Sequence, residues 1–424
     1  MRRGLIKTQT TAGLTLCRLA ASATLGLLMT AAPAQADIDF GWDVDSWLIG
    51  GSGTRDGDDR SSFLGTGVEA NAGFGGMHWL VRTRATLDLP LASDHDNARG
   101  HLREANFDWR GEHLAFTLGR QRVIWGRTDG NKPTNVLTPR HVDRPVIWES
   151  EEYAGVDAAH VGLRLSDAAF LGVYAVPHFR PSRLPRGLWQ GMPVKGDSVA
   201  VSGSDPGLAL RFEWLGNGFD GAITASRTAE LTPYLRPTAD GLGVERRHGE
   251  LRMFGWDFAL TRGSYVYRGE FAYLEREEDP SGLSPGSTFA LALGAERELT
   301  PRLTGLLQVL FEDHRRRPTS ESPALAGLAA ANQALFRQTR NKQAGLSLSA
   351  TLYPPSYVGS LTVDAAGYEG GETLLRVRGQ YPVGQHVKLE LLAEHFDGPA
   401  GSAFGVLSEN NVVWGRVTVS FGSL

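Results

Sequence analysis

The chain has 424 residues, of which 41% are hydrophobic and 21% charged, with a formal charge of −4. Ten Trp, ten Tyr and eighteen Phe beside so small a charge exclude a disordered polymer. The one cysteine, Cys17, leaves no disulfide framework, thiolate chemistry or cysteine-ligated metal for the rest of the chain.

The first element in chain order is a leader. Arg2, Arg3, Lys7 and Arg18 precede an apolar stretch over Leu19 to Ala32, and Ala34-Gln35-Ala36 supplies a small-x-small cleavage pattern. This predicts a secretory signal peptide over residues 1–36 and a single domain over 37–424. Removing the leader leaves 39 basic against 47 acidic side chains, a net −8, so nucleic acid is not an expected partner. Downstream, no apolar run approaches the roughly 18–20 residues that a spanning helix needs.

The domain beyond the leader is patterned by alternation. Trp79, Val81, Thr83, Ala85 and Leu87 share one face of a strand whose other face carries Arg82, Arg84, Thr86 and Asp88. Leu208, Leu210, Phe212 and Trp214 oppose Arg211 and Glu213, and Tyr265, Tyr267, Phe271 and Tyr273 oppose Arg268 and Glu270. Leu375, Val377 and Tyr381 oppose Arg376 and Arg378, and the last such segment ends near Phe421. Period-two patterning of this kind reads as strand, and the polar face is too charged for a protein core. One face seeks hydrocarbon and the other water.

Connections alternate in length. Short ones are expected at Gly73–Gly76, Gly111-Glu112, Ser166-Asp167, Asn217-Gly218, Arg262-Gly263, Thr300-Pro301, Pro354-Pro355 and Pro382–Gln385. Long ones are expected around 51–61, 91–100, 123–154, 179–206, 229–248, 277–286, 314–340, 367–371 and 398–411, the eighth being brief. The expectation is an all-β transmembrane antiparallel barrel of about 18 strands, with short periplasmic turns and long extracellular loops; sixteen strands also fit the count. Trp79, Phe107, Trp109 and Trp214 fall near strand ends, where an interfacial aromatic girdle belongs.

The third long loop is the most distinctive stretch: Gly119-Arg120-Gln121 runs into Trp125-Gly126, Asn131-Lys132-Pro133 and Leu137-Thr138-Pro139-Arg140. Over residues 118–160 the sequence resembles Gram-negative porin-like outer-membrane proteins, similar in style to alginate-export barrels and their uncharacterised relatives. That resemblance implies a passive channel or an exporter. The loop is also sorted by sign. Arg120, Arg122, Arg127, Lys132, Arg140 and Arg144 come first, then Glu149, Glu151 and Glu152. Folded inward, it would set a basic side across from an acidic one and constrict the bore. Arg82, Arg84, Arg268, Glu270, Arg376 and Arg378 would line the lumen. Parity places Arg120 on the outward face of Leu114, Phe116 and Leu118, unless a bulge at Gly119 shifts the register or the strand has left the bilayer by then.

The remaining motifs are weaker. Gly196-Asp197-Ser198 looks like an esterase nucleophile, but lies in a Pro/Gly/Ser-rich loop without the strand-to-helix turn that activates a serine. No histidine spacing suits a catalytic metal. Asp56–Asp59 and Asp94–Asn97 are clustered oxygens suited at most to weak cation binding, and Ser322-Pro323 with Leu325, Leu328, Leu335 and Phe336 predicts a loop helix. The sequence therefore points to a non-enzymatic outer-membrane channel for small polar or charged solutes, without cofactor. Its expected partners are outer-membrane lipid, lipopolysaccharide, the barrel-assembly machinery and the solutes. An exporter of anionic polysaccharide, or a scaffold barrel sheathing a partner protein, is the alternative.

Overall fold

The computed structural model describes residues 39–423 apart from 56–57, 93–97, 142–151, 185–191, 202–204, 356–357, 400 and 408–410. The signal-peptide expectation and the oxygen cluster at Asp94–Asn97 lie outside these residues, and so do the side chains of Asp56–Asp59.

Among the described residues, twenty-one strands run in order: β1 (Asp39–Arg55), β2 (Asp58–Gly76), β3 (Trp79–Ala92), β4 (Arg99–Arg110), β5 (Leu114–Gln121), β6 (Val156–Arg164), β7 (Ala169–His178), β8 (Val194–Val199), β9 (Gly207–Leu215), β10 (Phe219–Ala229) and β11 (Tyr234–Pro237). The rest are β12 (Val244–His248), β13 (Glu250–Arg262), β14 (Tyr265–Arg276), β15 (Thr288–Thr300), β16 (Leu303–His314), β17 (Lys342–Leu352), β18 (Ser360–Tyr368), β19 (Glu372–Val383), β20 (Val387–Asp397) and β21 (Val412–Ser423). Among the described residues, α1 (Ala326–Leu335) and α2 (Ala403–Leu407) lie in the seventh and ninth long connections.

Eighteen of the strands make one antiparallel sheet in chain order, and it closes on itself: β1 pairs with β21 from Trp42↔Ser423 to Gly53↔Val412. Closure leaves no unpaired edge to face lipid. The wall is inside-out relative to a water-soluble sheet. On β9, Leu208, Leu210, Phe212 and Trp214 are exposed on the outside, whereas Ala209 and Arg211 between them are buried inside. Aromatic rings cluster toward the short-turn end, with Trp79 stacked near Phe107, Trp109 on Phe116 and Phe219 beside Phe258. Ring bodies there meet hydrocarbon while polar edges meet headgroups.

Several expected boundaries move. Gly73–Gly76 is strand, because β2 continues to Gly76 and turns at Met77-His78. The stretch 51–61 is mostly hairpin, since β1 reaches Arg55 and β2 resumes at Asp58. At Gly119 the ladder keeps its register without a bulge. The glycine takes φ +112°, a conformation open to it because it has no Cβ. The register shifts lie on neighbouring ladders, at Arg84/Ala85 and Asp157/Ala159.

Outside the barrel end, β8, β11 and β12 form a small sheet. The loop helix expected after Pro323 is present as a 3-10 turn over Pro323–Leu325 running into α1, although the Ser322 side chain makes no capping bond. Asn332 on α1 is buried. It accepts from the Leu235 N–H at 2.7 Å and donates to the Leu235 and Leu283 carbonyls, each at 2.9 Å, tying loops 5, 6 and 7 together.

Candidate solute passage

Over its described residues, 122–141 and 152–155, loop 3 folds inward against the lumen wall. The Thr138 hydroxyl accepts from the Val123 N–H and donates to the Val123 carbonyl, closing the neck of the loop. Beyond it Val123, Trp125, Val136 and Leu137 are buried on Val156, Ala158, Val176, Ala209, Leu251, Met253 and Ala272, which belong to β6, β7, β9, β13 and β14. Burying such a side chain contributes about 2 kcal/mol, so the seat is a dry core inside the barrel.

Polar contacts fix the loop beyond this seat. Glu270 on β14 is 1% exposed. Its carboxylate accepts from the backbone N–H of Thr128 at 2.8 Å and of Thr134 at 3.3 Å, and from both hydroxyls. Gly126 lies over this carboxylate with φ +89°, and a Cβ there would fall 2.4 Å from Oε1. Arg127 donates to Asp257 at 3.0 Å, a carboxylate it shares with Arg211. At the tip, Asp129 N–H donates to Gln308 Oε1 at 3.2 Å and Gln308 Nε2 returns to the Asp129 carbonyl at 2.9 Å. The loop thus reaches from β5 to β16.

The space left open is a cavity of about 800 Å³, bounded by the loop 3 tip, the lumen faces of β15 to β20, and the ends of loops 7 and 9. Charged and apolar groups alternate around it: Asp129, Glu296, Asp364, Arg376, Arg378 and Glu394 with Leu306, Leu310, Leu374 and Phe396.

The residues singled out from sequence are distributed unevenly around this space. Arg140 and Glu152 both border the cavity. They are partners at 3.0 Å and do not stand on opposite sides of the bore, because the isolated bridge Arg140↔Tyr153 brings the two ends of the loop together. Arg122 pairs with Glu104 at 2.5 Å, and Lys132 turns back to the Thr128 carbonyl. Arg120 pairs with Asp157 at 2.7 Å and stands opposite Ala105, which shares a face with Phe107 and Trp109. Directly opposed residues share a face, so Arg120 belongs to the outer side of the wall and not to a constriction. Arg144, Glu149 and Glu151 lie outside the described residues.

Among the lumen residues, Arg82 pairs with Asp108, Arg84 bonds Asn71 at 2.5 Å, and Arg268 bridges Glu296 at 2.8 Å and Asp129 at 3.3 Å. Arg376 meets Glu394 at 2.5 Å and Arg378 meets Asp364 at 2.7 Å. Glu270 is the exception to its expected role: loop 3 covers it, so it anchors the loop and does not line open space. Ser198 stands in β8 with its hydroxyl 3.4 Å from Glu245, on a strand and not on a strand-to-helix turn.

Sequence reasoning missed Leu251 and Met253 as the seat of loop 3, Asp129 as its tip, and Arg337 at the end of α1. A signal existed for the first two. From Leu251 to Trp256 apolar residues occupy both faces of one strand, which marks a lumen face that something covers.

No family model matches the chain, and no curated protein sequence matches it. Solved structures do. The chain is similar to Pseudomonas aeruginosa OccK9 (OpdG), with a TM-score of 0.57 and 10% identity over 91% of this chain and 98% of that one. Pseudomonas aeruginosa OccK11 (OpdR) gives 0.56 and 10%, over 92% and 97%. Acinetobacter baumannii OccAB4 gives 0.55 and 9%, over 92% and 99%. At these identities the likeness is one of fold. It falls on Occ and Opd barrels, and the comparison with alginate-export barrels finds no support there.

Proposed function

We propose that the protein is an outer-membrane channel for passive diffusion of small polar or charged solutes, constricted by loop 3. The observation that carries this reading is the cavity of about 800 Å³ left between the inward loop and the β15–β20 wall, lined by ion-paired arginines and carboxylates. Solutes small enough to pass exchange hydration water for these fixed dipoles. Arg122, Arg127, Lys132, Arg140 and Glu152 hold or border the constriction. Arg144, Glu149 and Glu151 are proposed for its continuation. Arg82, Arg84, Arg268, Arg376 and Arg378 form the charged walls of the lumen. The apolar outer band supports insertion among outer-membrane lipid and lipopolysaccharide, and the alternating last strand supports delivery by the barrel-assembly machinery.

A scaffold barrel needs a wide bore, and loop 3 occupies that bore. An exporter of anionic polysaccharide needs a continuous basic track, whereas Arg82, Arg84, Arg268, Arg376 and Arg378 are all matched by carboxylates. Refolded protein in a planar bilayer is expected to give discrete conductance steps. A heat-modifiable, folded barrel that inserts and never conducts would overturn the channel reading.

A further inference from the structure

Loop 7 differs from the barrel wall in its charge. From His314 to Lys342 it carries Arg315, Arg316, Arg317, Arg337, Arg340 and Lys342 against a single acid, Glu321. On the wall, arginines meet carboxylates strand by strand. Here none of the five arginines has an ion pair among the described residues, and Lys342 alone reaches a carboxylate, Asp313 at 3.6 Å. Arg316 and Arg317 donate to uncharged oxygens, the Ser284 hydroxyl and the Thr339 carbonyl. The His314 N–H donates to the Asn341 carbonyl at 2.6 Å, which gathers both ends of the loop above β16 and β17. Cations held together in this way repel one another until an anion joins them.

The direction in which this charge faces identifies the anion. On β14 to β17, Tyr273 stands opposite Phe289, Phe289 opposite Asp313, and Asp313 opposite Lys342. Directly opposed residues share a face, so Lys342 lies on the hydrocarbon-facing surface of the wall, where Phe289 and Phe311 are exposed. Arg315 is held to the same surface, its guanidinium 5.3 Å from the ring centroid of Tyr273. Arg340 is exposed beside Gly370, in the hairpin between β18 and β19. The carboxylates nearest these three are Asp313 and Glu369, and Glu369 accepts the Ala344 N–H at 3.1 Å. The Lys342 side chain stays 69% exposed beside its partner. From Tyr273 on β14 to the hairpin after β18 is four strand spacings, about 19 Å along the wall. A soluble polyanion would have to enter the bilayer to meet this face, whereas a lipid meets it from the side.

We propose that the base of loop 7 docks one lipopolysaccharide molecule of the outer leaflet, with the phosphates of its lipid A headgroup on Arg315, Arg340 and Lys342 and its acyl chains on Phe289 and Phe311. Long loops mark the extracellular end of such a barrel, so the cations stand at the height of the phosphorylated headgroups. A guanidinium takes a phosphate with two parallel bonds, and a lysine adds a point charge. Bonds of this kind, between ionised partners, are roughly twice as strong as neutral ones. Directly beneath, the exposed rings continue the surface into hydrocarbon, which a phosphate without chains cannot use. Arg316 and Arg317 stand behind the three contact residues and add to the attraction through space.

This docking surface is independent of what passes through the bore, so its test needs no conductance. Refolded barrel in dodecyl maltoside micelles is titrated with bis-phosphorylated lipid A, and the retained glycolipid is read by native mass spectrometry. The wild type is expected to hold one lipid A, and the triple variant Arg315→Gln/Arg340→Gln/Lys342→Gln to need about tenfold more for the same occupancy. Arg262→Gln/Arg297→Gln, which removes charge at the short-turn end, should bind like the wild type. A folded triple variant with wild-type occupancy overturns the proposal, and so does an equal loss in the short-turn variant. Should the triple variant fail to fold, the wild type still decides. Retention of bis-phosphorylated lipid A over its dephosphorylated form and over phosphatidylglycerol supports the proposal. Equal retention of all three overturns it, as does binding of dextran sulfate by a barrel that keeps no lipid A, since that would give the cations to a soluble polyanion.

Discussion

Replacing Glu270 with alanine is expected to loosen loop 3 while leaving the barrel intact. The carboxylate takes two backbone N–H groups and two hydroxyls from Thr128 and Thr134. The hydroxyls find other acceptors by rotating, but the two N–H groups are fixed by the loop, and each costs about 1–3 kcal/mol when left unmatched. A loss of about 4 kcal/mol lowers the ratio of docked to undocked loop roughly 10³-fold. The apolar seat of Val123, Trp125, Val136 and Leu137 remains, so the loop should still dock most of the time. Single-channel recording would then show brief excursions from the wild-type level to a higher conductance. Glu270→Gln, which keeps the shape and one neutral acceptor, should give fewer of them than Glu270→Ala but more than the wild type, since a charged acceptor bonds roughly twice as strongly as a neutral one. Traces from Glu270→Ala with wild-type level and noise would refute the reasoning, and so would loss of the heat-modifiable barrel, which would mean that Glu270 supports the wall and not the loop.

Three further outcomes are expected from the loop contacts. Gly126→Ala places a methyl against the Glu270 carboxylate and forces φ +89° on a residue with a Cβ, at about 1–2 kcal/mol before the clash; it should reproduce the Glu270→Ala excursions, and a quiet channel would count against the latch. His248 on β12 is 1% exposed, packs on Phe179 at 4.8 Å, and has Nδ1 2.9 Å from the Glu230 carbonyl, with burial holding its imidazole below the usual range. Its contribution is complete above about pH 6.5 and declines as pH falls from there toward the depressed folded value; protease sensitivity of loops 4 and 5 should therefore rise between pH 7 and 5, and His248→Phe should flatten that profile. Asp279 in loop 6 behaves with the opposite chemistry: burial raises its carboxyl, but the Ser281 hydroxyl and N–H together with Arg236 and Tyr234 outweigh that and hold it below the usual range. Its bonds should persist at pH 7 and fail only as pH drops through its lowered value, whereas Asp279→Asn should expose loops 5 and 6 to proteolysis already at pH 7.

Legibility from sequence divides along a physical line. Parity reports which face of a strand a residue occupies, so β9 with Leu208, Leu210, Phe212 and Trp214 outward can be read directly, as can the closed wall built from such strands. It does not report what covers a face. Leu251 and Met253 point into the lumen because Trp125, Val136 and Leu137 come to meet them, and that meeting depends on a loop more than a hundred residues earlier in the chain. Parity places Glu270 correctly on the inner face and misses its task for the same reason.

Charge shows the limit most clearly. Counting inward arginines and carboxylates gives a near balance, which says nothing about selectivity, because the balance is met pair by pair through the register. Arg376 and Glu394 are direct partners across β19 and β20, Arg416 and Glu390 across β20 and β21, and Arg84 and Glu104 across β3 and β4. A neighbouring strand two residues out of step would separate each of these pairs. Charge that the register does not set sits on the loops. Arg337 stands in the turn after α1, outside any strand register, and no alternation in the sequence could have marked it.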